Sequence, residues 1–255
     1  MLELSNVCVE LGGKAILRNI NLKLNGQNLC ILGANGCGKT TLLKAMAGIL
    51  PVSGAVTLGG QEIHRLPRKK VAAKIAMMSQ IQSSYFPYTV KETVMLGRFQ
   101  HQKRSLFAFP QQTKDHEFVN SVLETVGLKD LGERRLEQLS GGQLQRVFLA
   151  QVLAQDPEII LLDEPTNHLD MKYQLELIDY LKAWSTAKNR LVVGVFHDLN
   201  LALRLSENLL FLKDGEITGM GKASDLLSAE FLQDIYDVDI AAYMKKSLER
   251  WNEIC

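Results

Sequence analysis

The sequence lacks the features that would place it in several large classes of protein. No run of apolar residues approaches the roughly 18 that a membrane-spanning helix requires, so we expect no such helix. Residues 1–4 provide neither the basic part nor the long apolar part of a secretory signal. We therefore expect the protein to stay in the compartment where it is made.

Cysteine is scarce, and neither sign of charge is in excess. The cysteines are Cys8, Cys30, Cys37 and Cys255, and because no two form a CxxC pair, neither a zinc ribbon nor a redox motif is indicated. The 29 basic and 28 acidic residues give a net charge of +1, without the basic surplus typical of nucleic-acid binders. A hydrophobic content of 46% in 255 residues is ample for one large α/β domain, with or without an inserted subdomain.

Apolar patterning predicts how the chain is organised. Segments 2–9 and 15–24 read as paired strands, and 27–46 reads as a strand, a glycine-rich loop and a helix. Helical periodicity without an intervening strand predicts an inserted helical subdomain, with helices at 89–98, 114–126 and 142–155. Nearly all-apolar strands at 159–163 and 191–196, joined by a helix at 172–187, predict a buried parallel sheet. A hairpin around Asp214-Gly215 and a tail of short helices follow.

Residues 33–40 fit the pattern GxxxxGK[ST] between a predicted strand and a predicted helix. Glycines let backbone N–H groups turn inward around a phosphate, and the following helix adds its positive end. Lys39 would reach the β- and γ-phosphates of a nucleotide, and Thr40 would bind Mg²⁺. A chance match occurs in on the order of one in a hundred chains, so an ordinary glycine-rich turn is the weaker interpretation. The predicted nucleotide contacts are Gly33, Ala34, Asn35, Gly36, Cys37, Gly38, Lys39, Thr40 and Thr41.

The apolar strand at 159–163 ends in two carboxylates, Asp163 and Glu164. Ligands bind at such strand ends in open α/β sheets. Asp163 is the expected Mg²⁺ ligand, and Glu164 is the expected general base for an attacking water. Structural carboxylates at a turn would be the better interpretation without the phosphate loop. With that loop present, the sequence predicts an α/β fold: a P-loop NTPase core with a mostly parallel sheet, an N-terminal antiparallel β subdomain and an inserted helical subdomain.

A third motif, Leu139-Ser140-Gly141-Gly142-Gln143, precedes a predicted helix. A helix N-terminus with a hydroxyl and bare N–H groups is suited to a γ-phosphate. The alternative interpretation is a plain N-cap formed by Ser140.

With these motifs the sequence resembles the ABC ATPase family over nearly its whole length. The resemblance identifies LSGGQ as the family's signature and Gln80 as the Q-loop glutamine, which senses Mg²⁺ and the attacking water. Asn167-His168-Leu169-Asp170 is similar to the D-loop, with Asp170 as its aspartate, and His197 to the switch histidine that contacts the γ-phosphate. It therefore implies that Glu164, His197 and Gln80 are catalytic and that Thr40, Gln80 and Asp163 hold Mg²⁺.

The resemblance also implies a mechanism. Two subunits pack head to tail, and each ATP lies between the phosphate loop of one chain and the signature and D-loop of the other. Loss of the γ-phosphate loosens this homodimer and changes the conformation of a membrane partner. The second-subunit contacts implied are Ser140, Gly141, Gly142, Gln143 and Asp170. The implied location is the cytoplasmic face of the membrane, with no nucleic acid involved.

Residues 89–98, which include Leu96-Gly97-Arg98, resemble the same segment in ATP-binding subunits of importers for metal chelates such as iron–siderophore, haem or cobalamin. In such importers two permease subunits would dock near residues 80–112, and a substrate-binding protein would act indirectly. Another ABC importer, an exporter, a soluble ABC ATPase and a non-catalytic regulator are the alternatives. Leu11 departs from the family, which usually stacks adenine on an aromatic residue there.

We expect one ABC ATPase domain over residues 1–255. Its nucleotide-binding core would take about 1–88 and 156–235, its helical subdomain 89–155, and a short tail 236–255. Phe107 and Phe109 either contact a partner or fold back over the helical subdomain.

Overall fold

The structure is a computed structural model that describes residues 1–79, 87–101, 109–167, 169–186 and 190–254, with no side chains described at 109–112. The strands are β1 (Leu2–Leu11), β2 (Lys14–Leu24), β3 (Leu29–Leu32), β4 (Ser53–Leu58), β5 (Gln61–Glu62), β6 (Ile75–Met78), β7 (Ile159–Asp163), β8 (Leu191–Val195), β9 (Asn208–Lys213) and β10 (Glu216–Lys222). The helices are α1 (Lys39–Met46), α2 (Arg68–Ala72), α3 (Val90–Leu96), α4 (Phe109–Thr125), α5 (Gly141–Ala154), α6 (Met171–Thr186), α7 (Leu199–Leu205), α8 (Ala223–Leu226), α9 (Ala229–Tyr236) and α10 (Ile240–Ile254).

A six-stranded sheet in the order β10-β9-β3-β8-β7-β6 forms the centre of the molecule. Strands β9, β3, β8, β7 and β6 pair in parallel, and only the edge strand β10 is antiparallel. A separate antiparallel sheet has the order β2-β1-β4-β5. These two sheets, with several helices, confirm the predicted fold class.

The central strands are buried on both faces, as their nearly all-apolar sequences predict. In β3, Cys30 and Leu32 belong to one hydrophobic cluster, while Leu29 and Ile31 belong to another on the opposite face. The first cluster includes residues of α3–α7 and α9, and the second includes α1 and the antiparallel sheet. Each buried leucine or isoleucine contributes about 1.5–3 kcal/mol relative to exposure, so these two layers hold the sheet in place.

A buried ion pair joins the helices that lie between β6 and β7 in sequence. The Nε of Arg98 lies 2.9 Å from Oδ1 of Asp115, and its Nη1 donates to the carbonyl of Ala154 at 3.0 Å. The guanidinium also lies over the ring of Phe118, 4.7 Å from its centroid. Arg98 therefore ties the end of α3 to both α4 and α5.

Two parts of the chain differ from the sequence prediction. The sequence analysis does not predict helix α7, because seven residues are too few to show a clear helical periodicity. This helix is capped by Asp198, whose Oδ1 accepts hydrogen bonds from two backbone N–H groups. The predicted tail of short helices ends instead in the 15-residue helix α10. In the described part of the chain, no helix is both long enough and apolar enough to cross a bilayer.

We expect Gly97→Ala to destabilise the protein by about 1–3 kcal/mol, the usual cost of overpacking a filled site. A Cβ atom at Gly97 would lie 2.3 Å from the carbonyl oxygen of Gln151 in α5. Gly132 has the same right-handed helical conformation, but a Cβ there would meet nothing nearer than 3.8 Å. Gly132→Ala is therefore the matched control. Urea unfolding measures both variants, and equal stabilities would contradict the close packing of α3 on α5.

Candidate active site

The phosphate loop follows β3, and its shape depends on glycine. Gly33, Gly36 and Gly38 have φ values of 141°, 79° and 109°, a region that other residues adopt at a cost. At Gly33 a Cβ would lie 2.1 Å from the carbonyl oxygen of Leu212. Helix α1 begins after Gly38 without a side-chain cap, so its first N–H groups are available to an anion.

Lys39 is buried within this loop, with 6% of its surface exposed. Its Nζ donates to the carbonyl oxygens of Gly33 and Ala34, both at 2.8 Å. The ammonium group is thus held at the loop by neutral acceptors, which leaves its charge uncompensated by these contacts. An anion entering the loop would meet this charge together with the N-terminus of α1.

Two elements from the C-terminal part of the chain brace the phosphate loop. In the β9–β10 turn, the N–H of Gly215 donates to the carbonyl of Cys37 at 3.1 Å, and the carbonyl of Gly215 accepts from Arg18 at 2.8 Å. At the end of α9, burial raises the pKa of Tyr236, while the backbone N–H of Gly33 opposes that rise. Burial also raises the pKa of the Cys37 thiol, which favours the protonated form.

Thr40 and Asp163 lie together at the carboxyl end of the sheet. The hydroxyl of Thr40 donates to Oδ1 of Asp163 at 3.0 Å. Burial raises the pKa of Asp163, the hydrogen bond from Thr40 opposes this rise, and Glu164 adds to it. Within the described residues no group of three or more His, Cys, Asp and Glu side chains could hold a metal. The oxygen pair suits Mg²⁺, which takes one or two protein ligands and completes its shell with water and phosphate.

Glu164 is fixed by contacts at its backbone and at both carboxylate oxygens. Its N–H donates to Val195 at 3.2 Å, and its φ is 54°, a conformation that costs about 1–3 kcal/mol in a residue with a side chain. Oε1 lies 2.7 Å from Nε2 of His197, and Oε2 accepts from Nδ2 of Asn167 at 2.5 Å. The structure therefore brings Glu164 and His197 into direct contact.

The signature residues 139–143 lie apart from the phosphate loop, and residues 140–143 line a separate cavity. Ser140 caps α5: its hydroxyl accepts from the N–H of Gln143 at 3.3 Å, and the Gln143 side chain accepts from the N–H of Ser140 at 2.9 Å. Gly141, Gly142 and Asp170 help to line the same cavity of about 330 Å³, and no described residue of the phosphate loop does. Within one chain the predicted site residues thus form two separate groups.

The sequence analysis missed two residues of α5, of which Gln145 connects these groups. Gln145 is buried in α5, and its Nε2 donates to the carbonyl of Pro165 at 2.7 Å and towards that of Glu164 at 3.4 Å. Arg146 stacks on Tyr173 of α6, 4.1 Å from the ring centroid. The signal for Gln145 is a polar residue at a buried position of an otherwise apolar helix, which is visible in the sequence once the helix is placed.

Some of the predicted residues fall outside the part of the chain that the structure describes. Gln80, His168 and Phe107 lie outside the described residues, and the side chain of Phe109 is not described. Leu11, the position that departs from the family's aromatic residue, ends β1 and is 42% exposed.

The chain is similar in sequence to known proteins. The family model described as "ABC transporter" matches residues 17–167. The chain is 38% identical over 239 residues to the ABC transporter ATP-binding protein YvrA of Bacillus subtilis (strain 168), covering 92% of this chain and 53% of YvrA. It therefore spans about half the length of that relative. It is 36% identical over 230 residues to YusV of the same organism, a siderophore transport system ATP-binding protein, covering 89% of this chain and 82% of YusV.

Two solved structures share the fold over most of the chain. A transporter described as metal-chelate type, in an inward-facing conformation, matches with a TM-score of 0.76 and 28% identity, covering 93% of this chain and 89% of that one. The cassette MJ0796, dimeric in a post-hydrolysis state with ADP and Pi bound, matches with a TM-score of 0.75 and 31% identity, covering 87% of this chain and 98% of that one.

We expect Gln145→Met to lower kcat for ATP hydrolysis roughly ten- to hundredfold with little change in ATP affinity, because the loop that carries Glu164 loses its support. Gln155→Met is the matched control, since Gln155 donates in the same way to the carbonyls of Ala72 and Ile75 at the other end of α5. Both variants should lose about 1–3 kcal/mol of stability. Steady-state kinetics on folded protein separate them, and equal kcat values would contradict a positioning role for Gln145.

Proposed function

The chain belongs to the ABC transporter family, and we propose that it is the ATP-hydrolysing subunit of an importer for a metal chelate such as iron–siderophore, haem or cobalamin. The observation that carries this proposal is the arrangement at one sheet edge. There the phosphate loop, the Thr40–Asp163 pair and the Glu164–His197 pair lie together. The siderophore system named for YusV and the metal-chelate type of the solved transporter support the class of cargo.

ATP would bind with its phosphates in the loop of residues 33–41. The N–H groups of the loop and of α1 would surround the β-phosphate, and Lys39 would turn from its carbonyl partners to the β- and γ-phosphates. Thr40, Asp163 and Gln80 would hold Mg²⁺, which neutralises phosphate charge when it is bound. The 3.0 Å contact between Thr40 and Asp163 supports this assignment, because it places two oxygen ligands side by side.

Hydrolysis would proceed through Glu164. Its carboxylate takes a proton from the attacking water, the water oxygen bonds to the γ-phosphorus, and the bond to the β–γ bridging oxygen breaks to give ADP and phosphate. His197 and Asn167 hold the two carboxylate oxygens, so the base is oriented before substrate arrives. His197 would also contact the γ-phosphate, and Gln80 would orient the water.

A second copy would complete the site. Ser140, Gly141, Gly142, Gln143 and Asp170 would meet the ATP held by the partner's phosphate loop. Two findings support this homodimer: these residues lie apart from the phosphate loop of their own chain, and MJ0796, which is similar to this chain, is dimeric. Hydrolysis would remove the γ-phosphate that joins the two subunits.

The permease subunits would dock on the helical side of the molecule, near residues 80–112, at the cytoplasmic face of the membrane. A cavity of about 400 Å³ lies between α3 and α4 and is lined in part by Met95, Leu96 and Phe99. Leu96 is 50% exposed and Phe99 is 76% exposed, which is costly unless a partner covers them. A substrate-binding protein would act through the permease and not touch this chain.

We expect Glu164→Gln to retain ATP binding, to lower the hydrolysis rate at least ~100-fold, and to accumulate an ATP-bound dimer. Glu158→Gln is the control, because Glu158 is an exposed carboxylate before the same strand, paired with Lys74. Phosphate release and light scattering measure the two effects. A hydrolysis rate within about twofold of wild type (~0.4 kcal/mol in barrier) contradicts the general-base role.

We expect Phe99→Asp to reduce co-purification with the permease subunits roughly tenfold, as loss of a central apolar anchor does. The ATPase activity of the isolated protein should not change. Met220→Asp is the control, because Met220 is also a large exposed apolar side chain, at 45%, on the edge strand β10. Equal co-purification of the two variants would place the permease contact elsewhere.

A further inference from the structure

The turn between β9 and β10 lies against the phosphate loop, although the two are far apart in the sequence. Lys213 and Glu216 pair across this hairpin, so Asp214 and Gly215 form its two-residue loop. Their φ values are 49° and 82°, as in a type I′ turn, whose twist matches that of the flanking strands. The hairpin therefore requires two residues at positive φ, a conformation that glycine adopts at the lowest cost.

The surroundings of Gly215 set a second requirement for glycine. A Cβ atom there would lie 2.3 Å from the carbonyl oxygen of Ile16 in β2. The carbonyl of Gly215 accepts from the N–H of Arg18 at 2.8 Å, and its N–H donates to the carbonyl of Cys37 at 3.1 Å. Gly60, in the β4–β5 turn, has a similar φ of 80°, but a Cβ there would meet no atom of the described residues within 4 Å. The turn at Gly215 is thus fitted between β2 and the phosphate loop.

The carbonyl of Cys37 belongs to the same peptide group as the N–H of Gly38. In a planar trans peptide these two groups point in opposite directions. Because the carbonyl is directed outward to Gly215, the N–H of Gly38 is directed away from the turn. Gly38 is the N-cap of α1, so this N–H lies beside the first free N–H groups of the helix. Within the described part of the chain no group accepts a hydrogen bond from it, so it remains available to an anion.

The backbone of the loop alone does not fix the orientation of this peptide group. Turning it over changes ψ of Cys37 and φ of Gly38, and glycine tolerates both signs of φ. The reversed orientation would present a carbonyl oxygen, in place of an N–H donor, to a phosphate in the loop. The hydrogen bond from Gly215 opposes this reversal, because the Cys37 carbonyl would have to leave its donor.

We propose that Gly215 is a positioning residue for the nucleotide: by donating to Cys37 it holds the N–H of Gly38 in the orientation that binds the β-phosphate. The proposal rests on the proposed function, because it takes residues 33–41 as the phosphate site. Loss of one hydrogen bond to a charged group lowers affinity by about tenfold or more. ADP and ATP share the β-phosphate, so both should lose affinity by the same factor.

The first test compares Gly215→Ala with Gly60→Ala, which adds the same methyl group at a similar φ but in open space. Calorimetric titration of the full-length chain with ADP and with the non-hydrolysable analogue AMP-PNP measures Kd. We expect both Kd values to rise about tenfold for Gly215→Ala and to stay within about twofold of wild type for Gly60→Ala. Steady-state kinetics distinguish positioning from loss of fold. A smaller folded fraction lowers the apparent kcat and leaves KM unchanged, whereas a misdirected N–H raises KM.

The second test replaces Gly215 by glycolic acid, which exchanges its N–H for an ester oxygen and adds no Cβ. This variant removes only the donor, so its Kd for ADP should also rise about tenfold. A Kd within about twofold of wild type would overturn the proposal, even if Gly215→Ala binds weakly, because the effect would then be steric. A wild type that binds neither ADP nor AMP-PNP would instead contradict the proposed function. If wild type binds both nucleotides and the ester variant matches it, only the positioning role of Gly215 fails.

Discussion

The lateral register of three buried strands holds the site together. Ile31 of β3 lies opposite Val195 of β8, and Val195 lies opposite Asp163 of β7. Two further hydrogen bonds, from Phe196 to Ile31 and from Glu164 to Val195, extend this alignment past the strand ends, both at 3.2 Å. A slip of one residue moves a strand by about 3.3 Å, more than the contacts of Glu164 with His197 and of Thr40 with Asp163 could absorb. The apolar clusters on both faces of the sheet therefore also maintain the chemistry at its edge.

Helix α5 connects this edge to the rest of the molecule. Its N-terminus carries the capped signature, Gln145 supports the loop of Glu164, and the carbonyl of Ala154 near its end accepts from Arg98. One element of 14 residues thus contacts the proposed nucleotide site and the helices that line the proposed permease groove. Gly97 allows α3 to approach α5 closely. The Leu96-Gly97-Arg98 segment, which resembles the importer family, therefore also has a role in packing.

The sequence was sufficient to predict the elements whose chemistry is local. The phosphate loop, the acidic end of β7 and the cap of α5 each lie in one short segment, so their spacing alone identifies them. The contacts of Gln145 with Pro165 and of Arg98 with Asp115 join residues about 20 positions apart in the sequence through tertiary packing. The hydrophobic periodicity of the sequence does not indicate which residue each of these side chains will contact. Helix α7 was too short to leave a period, and α10 is one helix because no glycine or proline interrupts residues 240–254. The roles of the predicted site residues and the division into subdomains stay predictions.

The separation of the predicted site residues into two groups is itself an argument about mechanism. A nucleoside triphosphate carries several negative charges, whereas the loop offers one buried ammonium group and the N–H groups of a short helix. The capping box of α5 uses the N–H groups of Ser140 and Gln143 and leaves those of Gly141 and Gly142 at the cavity that Asp170 also lines. A helix N-terminus with unused donors is complementary to an anion held by a loop that needs further donors. In the proposed dimer two copies would satisfy both conditions at once while the terminal phosphate is present, so hydrolysis would remove the nucleotide-dependent link between them.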